Sequence, residues 1–274
     1  MKSDEVEFVA EIARVAAGLN VDRDKVYLIE SRLAPVARRE GFASIREMLL
    51  SARQRREEKL LWSVVEAMAQ GETSFFRDRE TFTRLREEIL PQLVVRRPEG
   101  HPIRIWSAGC GAGQEAYSVA LSVEEAGAAV LAYGVDILGS DLSERSLEKA
   151  QSGLYTQFEV QRGLPIKLLV RHFEKRDEHW GLSPRMRSMV RWRRVNLNTE
   201  LRTLGTFDVI LCRHVLPGMT PEARQRILQH LARALAPGGY LLLGPGESGE
   251  SVPDSLTALE DGVHRAEASP RVAA

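Results

Sequence analysis

The sequence predicts an α/β fold class: a doubly wound, mostly parallel sheet with a small inserted antiparallel β-subdomain, preceded by an all-α N-terminal domain. Three observations predict it. From Ile103 onward, strand-like and helix-like segments alternate, which implies parallel strands joined by crossover helices. The first of these strands, IRIWSA, ends in glycines at alternate positions, Gly109, Gly111 and Gly113, before the chain turns helical. Residues 1–70, by contrast, carry helical periodicity throughout.

The N-terminal helices are read from apolar residues three and four apart. Val6, Val9, Ile12, Ala13 and Ala16 form one such stripe, and Ile45, Met48, Leu49, Leu60, Leu61, Val64, Val65 and Met68 continue the pattern. Arg53, Arg55 and Arg56 read as a solvated face of the same segment. Residues 71–100 are a linker and a connecting helix, with Asp78 as N-cap of RETFTRLREEIL and Pro91 just beyond its end.

Residues 101–266 form the sheet domain. Its expected order is IRIWSA, a helix from about Gln114, VDILGSD, the helix SERSLEKAQSG, FDVILCR, the helix PEARQRILQHLARAL, and GYLLLG. The interval 157–196 interrupts this alternation. It contains Gly163-Leu164-Pro165 and two candidate strands, near Trp180–Leu182 and Met189–Val195, read as antiparallel, so it is assigned to the β-subdomain. Periodicity fades from Glu247, where only Val263–Ala266 reads as a strand, and residues 267–274 are a tail.

Composition narrows the function classes. Lys+Arg and Asp+Glu both number 38, so the formal charge is zero, against the basic excess of a bulk nucleic-acid binder. The opening MKSDEVEF has no signal-peptide core and no run approaches membrane-spanning length. The expectation is a cytoplasmic protein with no nucleic-acid partner and no direct membrane insertion. Two cysteines, Cys110 and Cys212, suggest neither a disulfide framework nor a zinc cluster, so no metal is expected.

Chemistry is expected at the strand ends. Glycine removes the Cβ and lets ligand atoms approach the backbone, while the helix start behind it offers free N–H groups. Position 114 is Gln, so the dinucleotide pattern G-x-G-x-x-G is not met, and the loop is read as a site for S-adenosylmethionine (SAM). Asp141 ends the second strand, 28 positions after Gly113; it suits the two ribose hydroxyls of a nucleoside, or else belongs to the N-cap of the following helix, which either Asp141 or Ser143 begins. Asn196 reads as a contact to the adenine edge or as a turn residue. Arg213 and His214 end FDVILCRH, where His214 is a general base or a hydrogen-bonding residue. Cys212 lacks the Pro-Cys pair of a nucleophilic cytosine methyltransferase and reads as buried and apolar.

ETSFFRD, IWSAGCGAGQEAYSVAL, SDLSERSLEKAQSGLY, VNL and FDVILCRHVL together resemble the CheR family of chemoreceptor glutamate methyltransferases, over about residues 60–246. The resemblance implies SAM as cofactor, glutamyl methyl esters and S-adenosylhomocysteine (SAH) as products, and the Glu-rich helical cytoplasmic region of a chemoreceptor-like protein as substrate. It implies that Thr73 and Arg77 contact the SAM carboxylate and methyl-transfer region, with Arg77 the candidate catalytic residue. Glu115, Asp141 and the Asn196-Leu197 pair would hold the rest of the cofactor, Arg213 matches the Arg of an R-N pair, and His214 stands at its Asn. A SAM-binding regulatory module with weak or altered activity is the alternative.

Glutamate, with a reference pKa of about 4.3, is ionised at neutral pH and attacks a methyl group without a general base. The stretch PRMRSMVRWRRV has five arginines and no acid, which suits an acidic receptor helix or a solvated strand face. The turn FEKRDEHWG lacks the glycine cluster of receptor-tethered members, so a member independent of a pentapeptide tether is expected. Three departures stand out: Gly71 opens the Phe-Phe-Arg motif in place of Asn, His214 replaces Asn, and Gly218 occupies the position of a pocket tyrosine.

Overall fold

The computed structural model describes residues 1–55, 57–69, 71–96, 100–247, 252–260 and 262–267. They divide into two compact units, Met1–Gln70 with Val215–Ile227, and Gly71–His214 with Leu228–Ala274. In the first unit, α1 (Ser3–Ala17), α2 (Val26–Arg39), α3 (Ile45–Arg55) and α4 (Glu58–Ala69) bury one face each. Val9 and Ala13, Ile29 and Leu33, Met48 and Leu49, and Val64 and Val65 line that core at helical spacing. The segment 215–227 joins this unit through backbone hydrogen bonds from Asn20 N–H to the Gly218 carbonyl (2.9 Å) and from Thr220 N–H to the Gly18 carbonyl (2.9 Å).

The second unit opens with α5 (Arg79–Arg84), which runs through a π-helical turn at Leu85–Ile89 into α6 (Leu90–Arg96). Pro91 therefore lies inside the helix rather than beyond its end. Proline lacks the N–H of the regular ladder, and the wider turn just before it, with Leu90 N–H on the Leu85 carbonyl, absorbs the change. Then follow β1 (Ile103–Ala108), α7 (Gln114–Glu125), α8 (Ala128–Tyr133), β2 (Val135–Asp141) and α9 (Glu144–Ser152). The inserted part contains β3 (Leu154–Thr156), α10 (Gln157–Gln161), α11 (Ile166–His172), β4 (Phe173–Arg176), β5 (His179–Leu182) and α12 (Pro184–Ser188). The chain continues with β6 (Val190–Arg194), β7 (Phe207–Cys212), α13 (Pro221–Ala234), β8 (Leu235–Leu243), β9 (Leu256–Glu260) and β10 (Val263–Ala266).

The main sheet has the order β6-β2-β1-β7-β8-β10-β9. Its first five strands are parallel, and β10 and β9 add antiparallel to the β8 edge. All six residues of β7 are buried, as expected of a strand covered by helices on both faces. The α/β class with a small antiparallel sheet is thus as expected, and that second sheet has the order β3-β5-β4.

Two expectations need correction. The strand at Met189–Val195 is not part of the antiparallel subdomain: β6 pairs parallel with β2, from Ile137↔Val190 to Asp141↔Arg194. Helix α9, which packs on both β2 and β6, lies in the connection between them, and Trp192 faces Gly139 so closely that a Cβ there would lie 2.4 Å from the indole. The chain after Glu247 is also more ordered than expected among its described residues, since β9 pairs with β10 and covers the edge of the sheet.

Candidate active site

The strand order reverses at β1. The chain moves out from β1 to β2 and β6, then returns to β7 on the other side, so the carboxyl ends of β1 and β7 flank the switch point where such sheets bind ligands. The glycine loop lies there. The N–H groups of Gly109 and Cys110 both donate to the Ser140 carbonyl (2.8 and 2.9 Å), tying the loop to the end of β2. Gly109, Gly111 and Gly113 have φ of 74°, 55° and 90°, a region costly for other residues. A Cβ on Gly113 would lie 2.7 Å from Ala150 Cβ, so this glycine serves the packing of α7 on α9. One on Gly111 would lie 3.3 Å from Thr73 Cγ2, which brings Thr73 against the loop.

Asp141 accepts Gly111 N–H at Oδ2 (2.8 Å) and Ser143 N–H at Oδ1 (2.9 Å). The cap of α9 is Ser143, whose hydroxyl accepts Ser146 N–H, so the capping alternative for Asp141 does not hold. Burial pushes the Asp141 carboxyl above its ordinary range, against the pull of these N–H donors. Beside it, Val195 N–H donates to the Asp141 carbonyl (3.0 Å), placing Asn196 and the buried Leu197 next to that strand end. Asn196 Oδ1 accepts Asn198 N–H (3.0 Å), as in an Asx turn.

A line of charges crosses the neighbouring strand ends. Glu115 Oε1 accepts the Ser107 hydroxyl (2.8 Å), and its Oε2 accepts Arg213 Nη1 (3.2 Å). Arg213 Nη2 donates to Asp78 Oδ2 (2.6 Å) and to the Arg77 carbonyl (2.7 Å). His214 Nε2 lies 2.8 Å from the same Asp78 oxygen, and His214 N–H donates to Glu247 Oε2 (3.0 Å). Burial raises the Glu115 carboxyl, while the Arg213 charge and the Ser107 hydroxyl oppose the rise. Asp78 and Glu247 had no expected site role. Asp78 does stand at the N-cap position of α5, but its side chain makes no cap bond there and turns to Arg213 and His214 instead.

The Phe-Phe-Arg motif is locked into the second unit. Phe75 is fully buried, edge-on to Tyr155 (5.0 Å) and Phe173 (5.8 Å). Phe76 N–H donates to Ser118 Oγ (2.9 Å), and its ring meets Phe82 edge-on. Arg77 folds back, with Nη1 on the Glu72 carbonyl (2.9 Å). Phe76, Asp78 and His214 all have positive φ (46°, 56° and 61°), conformations costing roughly 1–3 kcal/mol each that cluster at functional sites. Among the described residues, only Asp177 shares this trait without being glycine.

The structure thus brings Thr73, Gly111, Asp141, Asn196 and the Glu115–Arg213–His214 line to one end of the sheet. Buried polar atoms without a hydrogen-bond partner among the described residues, Gln114 Oε1, Arg213 Nε and Glu247 Oε1, lie among these strand ends and fit a polar ligand there. Gly218 belongs to the first unit, and a Cβ at either Gly71 or Gly218 would meet nothing within 4 Å, so packing does not demand either glycine. Each arginine of the arginine-rich stretch reaches a partner within the fold. Arg185 bonds Glu124 (2.7 Å), Arg187 the Ser152 carbonyl (3.4 Å), Arg191 Asp136 (2.7 Å), Arg193 Thr203 (3.4 Å) and Arg194 the Leu142 carbonyl (3.0 Å).

A mostly parallel sheet with a glycine loop at its switch point and an acid ending the next strand is built to hold a nucleoside-type cofactor. The chain belongs to the CheR methyltransferase family: the model for "CheR methyltransferase, SAM binding domain" matches residues 71–263. Its relatives include chemotaxis protein methyltransferase Cher2 of Pseudomonas putida, 34% identical over 89% of this chain and 90% of that protein. Chemotaxis protein methyltransferase 1 of Pseudomonas aeruginosa is 36% identical over 89% of both. That of Vibrio parahaemolyticus is 33% identical over 93% of this chain and 90% of the other. Among the described residues no helix is long and apolar enough to cross a membrane, and no group of three or more His, Cys, Asp or Glu could hold a metal ion.

Proposed function

We propose that this chain methylates glutamate side chains in the Glu-rich helical cytoplasmic region of a chemoreceptor-like protein, and that it works in the cytoplasm. The observation that carries this reading is the placement of the Phe-Phe-Arg motif beside the cofactor loop. Thr73 abuts Gly111, and Arg213 holds the Arg77 carbonyl, on a chain whose relatives are named chemotaxis methyltransferases.

Bound SAM supplies an activated methyl group. Asp141 is assigned to the ribose hydroxyls, Asn196 and Leu197 to the adenine side, and Thr73, Glu115, Arg213 and His214 to the amino-acid end. Gly109 and Gly111 let that cofactor lie against the backbone. Arg77 is assigned to orient the acceptor carboxylate by charge-assisted hydrogen bonds. Its grip must stay moderate, because the acceptor's negative charge disappears as the ester forms. The remaining task is alignment, which a rigid scaffold supplies by positioning.

The link between β4 and β5 is two residues, Asp177 and Glu178, which supports action without a pentapeptide tether. Incubation with methyl-labelled SAM and receptor cytoplasmic fragments tests the reading. It predicts label on the receptor that mild base releases as methanol; base-stable label counts against glutamate as acceptor.

A further inference from the structure

Glu247 lies 33 positions from His214 in sequence and is almost fully buried, with 5% of its side chain exposed. Its Oε2 accepts two backbone N–H groups, from His214 (3.0 Å) and Gly244 (2.7 Å). One carboxylate therefore ties the end of β7 to the end of β8, and one of its two partners is a left-handed residue, His214 at φ 61°. The second oxygen, Oε1, has no hydrogen-bond partner among the described residues and faces His214 Nδ1 at 4.0 Å. The imidazole thus stands between carboxylates, with Asp78 at Nε2 and Glu247 at Nδ1. Asp78 Oδ2 is shared with Arg213, which reaches on to Glu115 and to the Arg77 carbonyl.

We propose that Glu247 is a positioning residue for the cofactor site: by fixing His214 in its left-handed turn, it holds the Asp78–Arg213–Glu115 line in register with Arg77. Backbone in this conformation persists only where its surroundings over-determine it. Glu247 supplies the acceptor that the His214 N–H needs, and the ring orientation that follows determines where Asp78 can meet Arg213. The inference rests on the cofactor reading of the strand-end site, and SAH binding by the unaltered protein tests that reading separately.

The experiment measures SAH affinity by calorimetry, thermal midpoint, and the NMR signal of the Arg213 guanidinium N–H in the full chain. Glu247→Ala is expected to weaken SAH binding about tenfold, as when buried charge-assisted bonds are lost, and to move the Arg213 signal. Glu247→Gln keeps an oxygen that can accept both N–H groups, so binding should return to within about threefold of the unaltered protein. Glu247→Asp, whose side chain is one methylene too short to accept both N–H groups, should weaken binding as Glu247→Ala does; it decides the matter if Glu247→Ala does not fold. A lowered thermal midpoint with unchanged SAH affinity and an unmoved Arg213 signal overturns the proposal. So does a glutamine variant as weak as the alanine one, or wild-type affinity in Glu247→Asp.

Discussion

Arg213 and Asp78 lie 135 positions apart in sequence and 2.6 Å apart at Nη2 and Oδ2 in the fold. The Arg213 side chain has no exposed surface and also reaches Glu115, so its charge is balanced by acids from two different segments. A buried cation needs such partners, and Asp78 follows directly on the Phe-Phe-Arg motif. The pair fastens that motif to the end of β7 and gives it a fixed position beside the cofactor loop.

Removing the ribose acid is expected to be costly. Asp141→Ala should weaken SAH binding about tenfold or more, the loss expected for charge-assisted hydrogen bonds. Because burial holds this carboxyl above its ordinary range, it takes up a proton sooner on acidification than an exposed Asp. Only the ionised form accepts from both hydroxyls, so affinity should be full above the raised value and fall as pH drops through it. Calorimetry across the acid range should give a flatter acid limb for Asp141→Asn. Wild-type affinity in Asp141→Ala removes the residue from the cofactor site.

Arg77→Ala should lower methyl transfer by about two orders of magnitude, the scale for losing one preorganised donor at a reacting group. Its hydrogen bond to the Glu72 carbonyl is exposed, so the thermal midpoint should hardly move. Single-turnover transfer to a receptor fragment measures the effect. A rate equal to that of the unaltered protein ends the assignment.

Gly163→Ala tests how the motif is locked. Gly163 has φ of 96°, and a Cβ there would lie 2.0 Å from the Phe75 carbonyl oxygen. The backbone must shift, at about 2–4 kcal/mol of stability, which urea unfolding reads directly. An unchanged midpoint would mean that Phe75 is not held as described.

The arginine-rich strand β6 should matter little for the acceptor. Arg191 bonds Asp136 at 2.9 and 2.7 Å, so its guanidinium is committed within the fold, on an acid it shares with Arg104 (3.4 Å). Arg191→Ala should leave KM for a receptor fragment within about twofold and cost under about 1 kcal/mol in stability, as for exposed ion pairs. A large rise in KM would restore this strand as a docking face.

The sequence makes the cofactor end of the site legible because its signals are local. The glycines after IRIWSA, the acid ending VDILGSD and the motif ETSFFRD each sit within one strand, turn or loop. Strand direction is a different matter. An alternating run such as VRWRR reads the same whether it pairs parallel or antiparallel, and the pairing with β2 depends on the Trp192–Gly139 fit. Asp78 and Glu247 join the charge line only through contacts spanning 33 to 136 positions. No local pattern distinguishes such a residue from a helix cap or a loop acid. Pro91 misleads for a related reason, because a π turn inside a helix leaves no periodic trace.

The most direct test is site-resolved mass spectrometry of a chemoreceptor cytoplasmic fragment after incubation with SAM and this protein, with Arg77→Ala in parallel. Base-labile methyl esters are expected on glutamates of the helical region, nearly absent with the variant. Methyl groups on other side chains, or an unmodified fragment from a protein that binds SAH, would contradict the assignment.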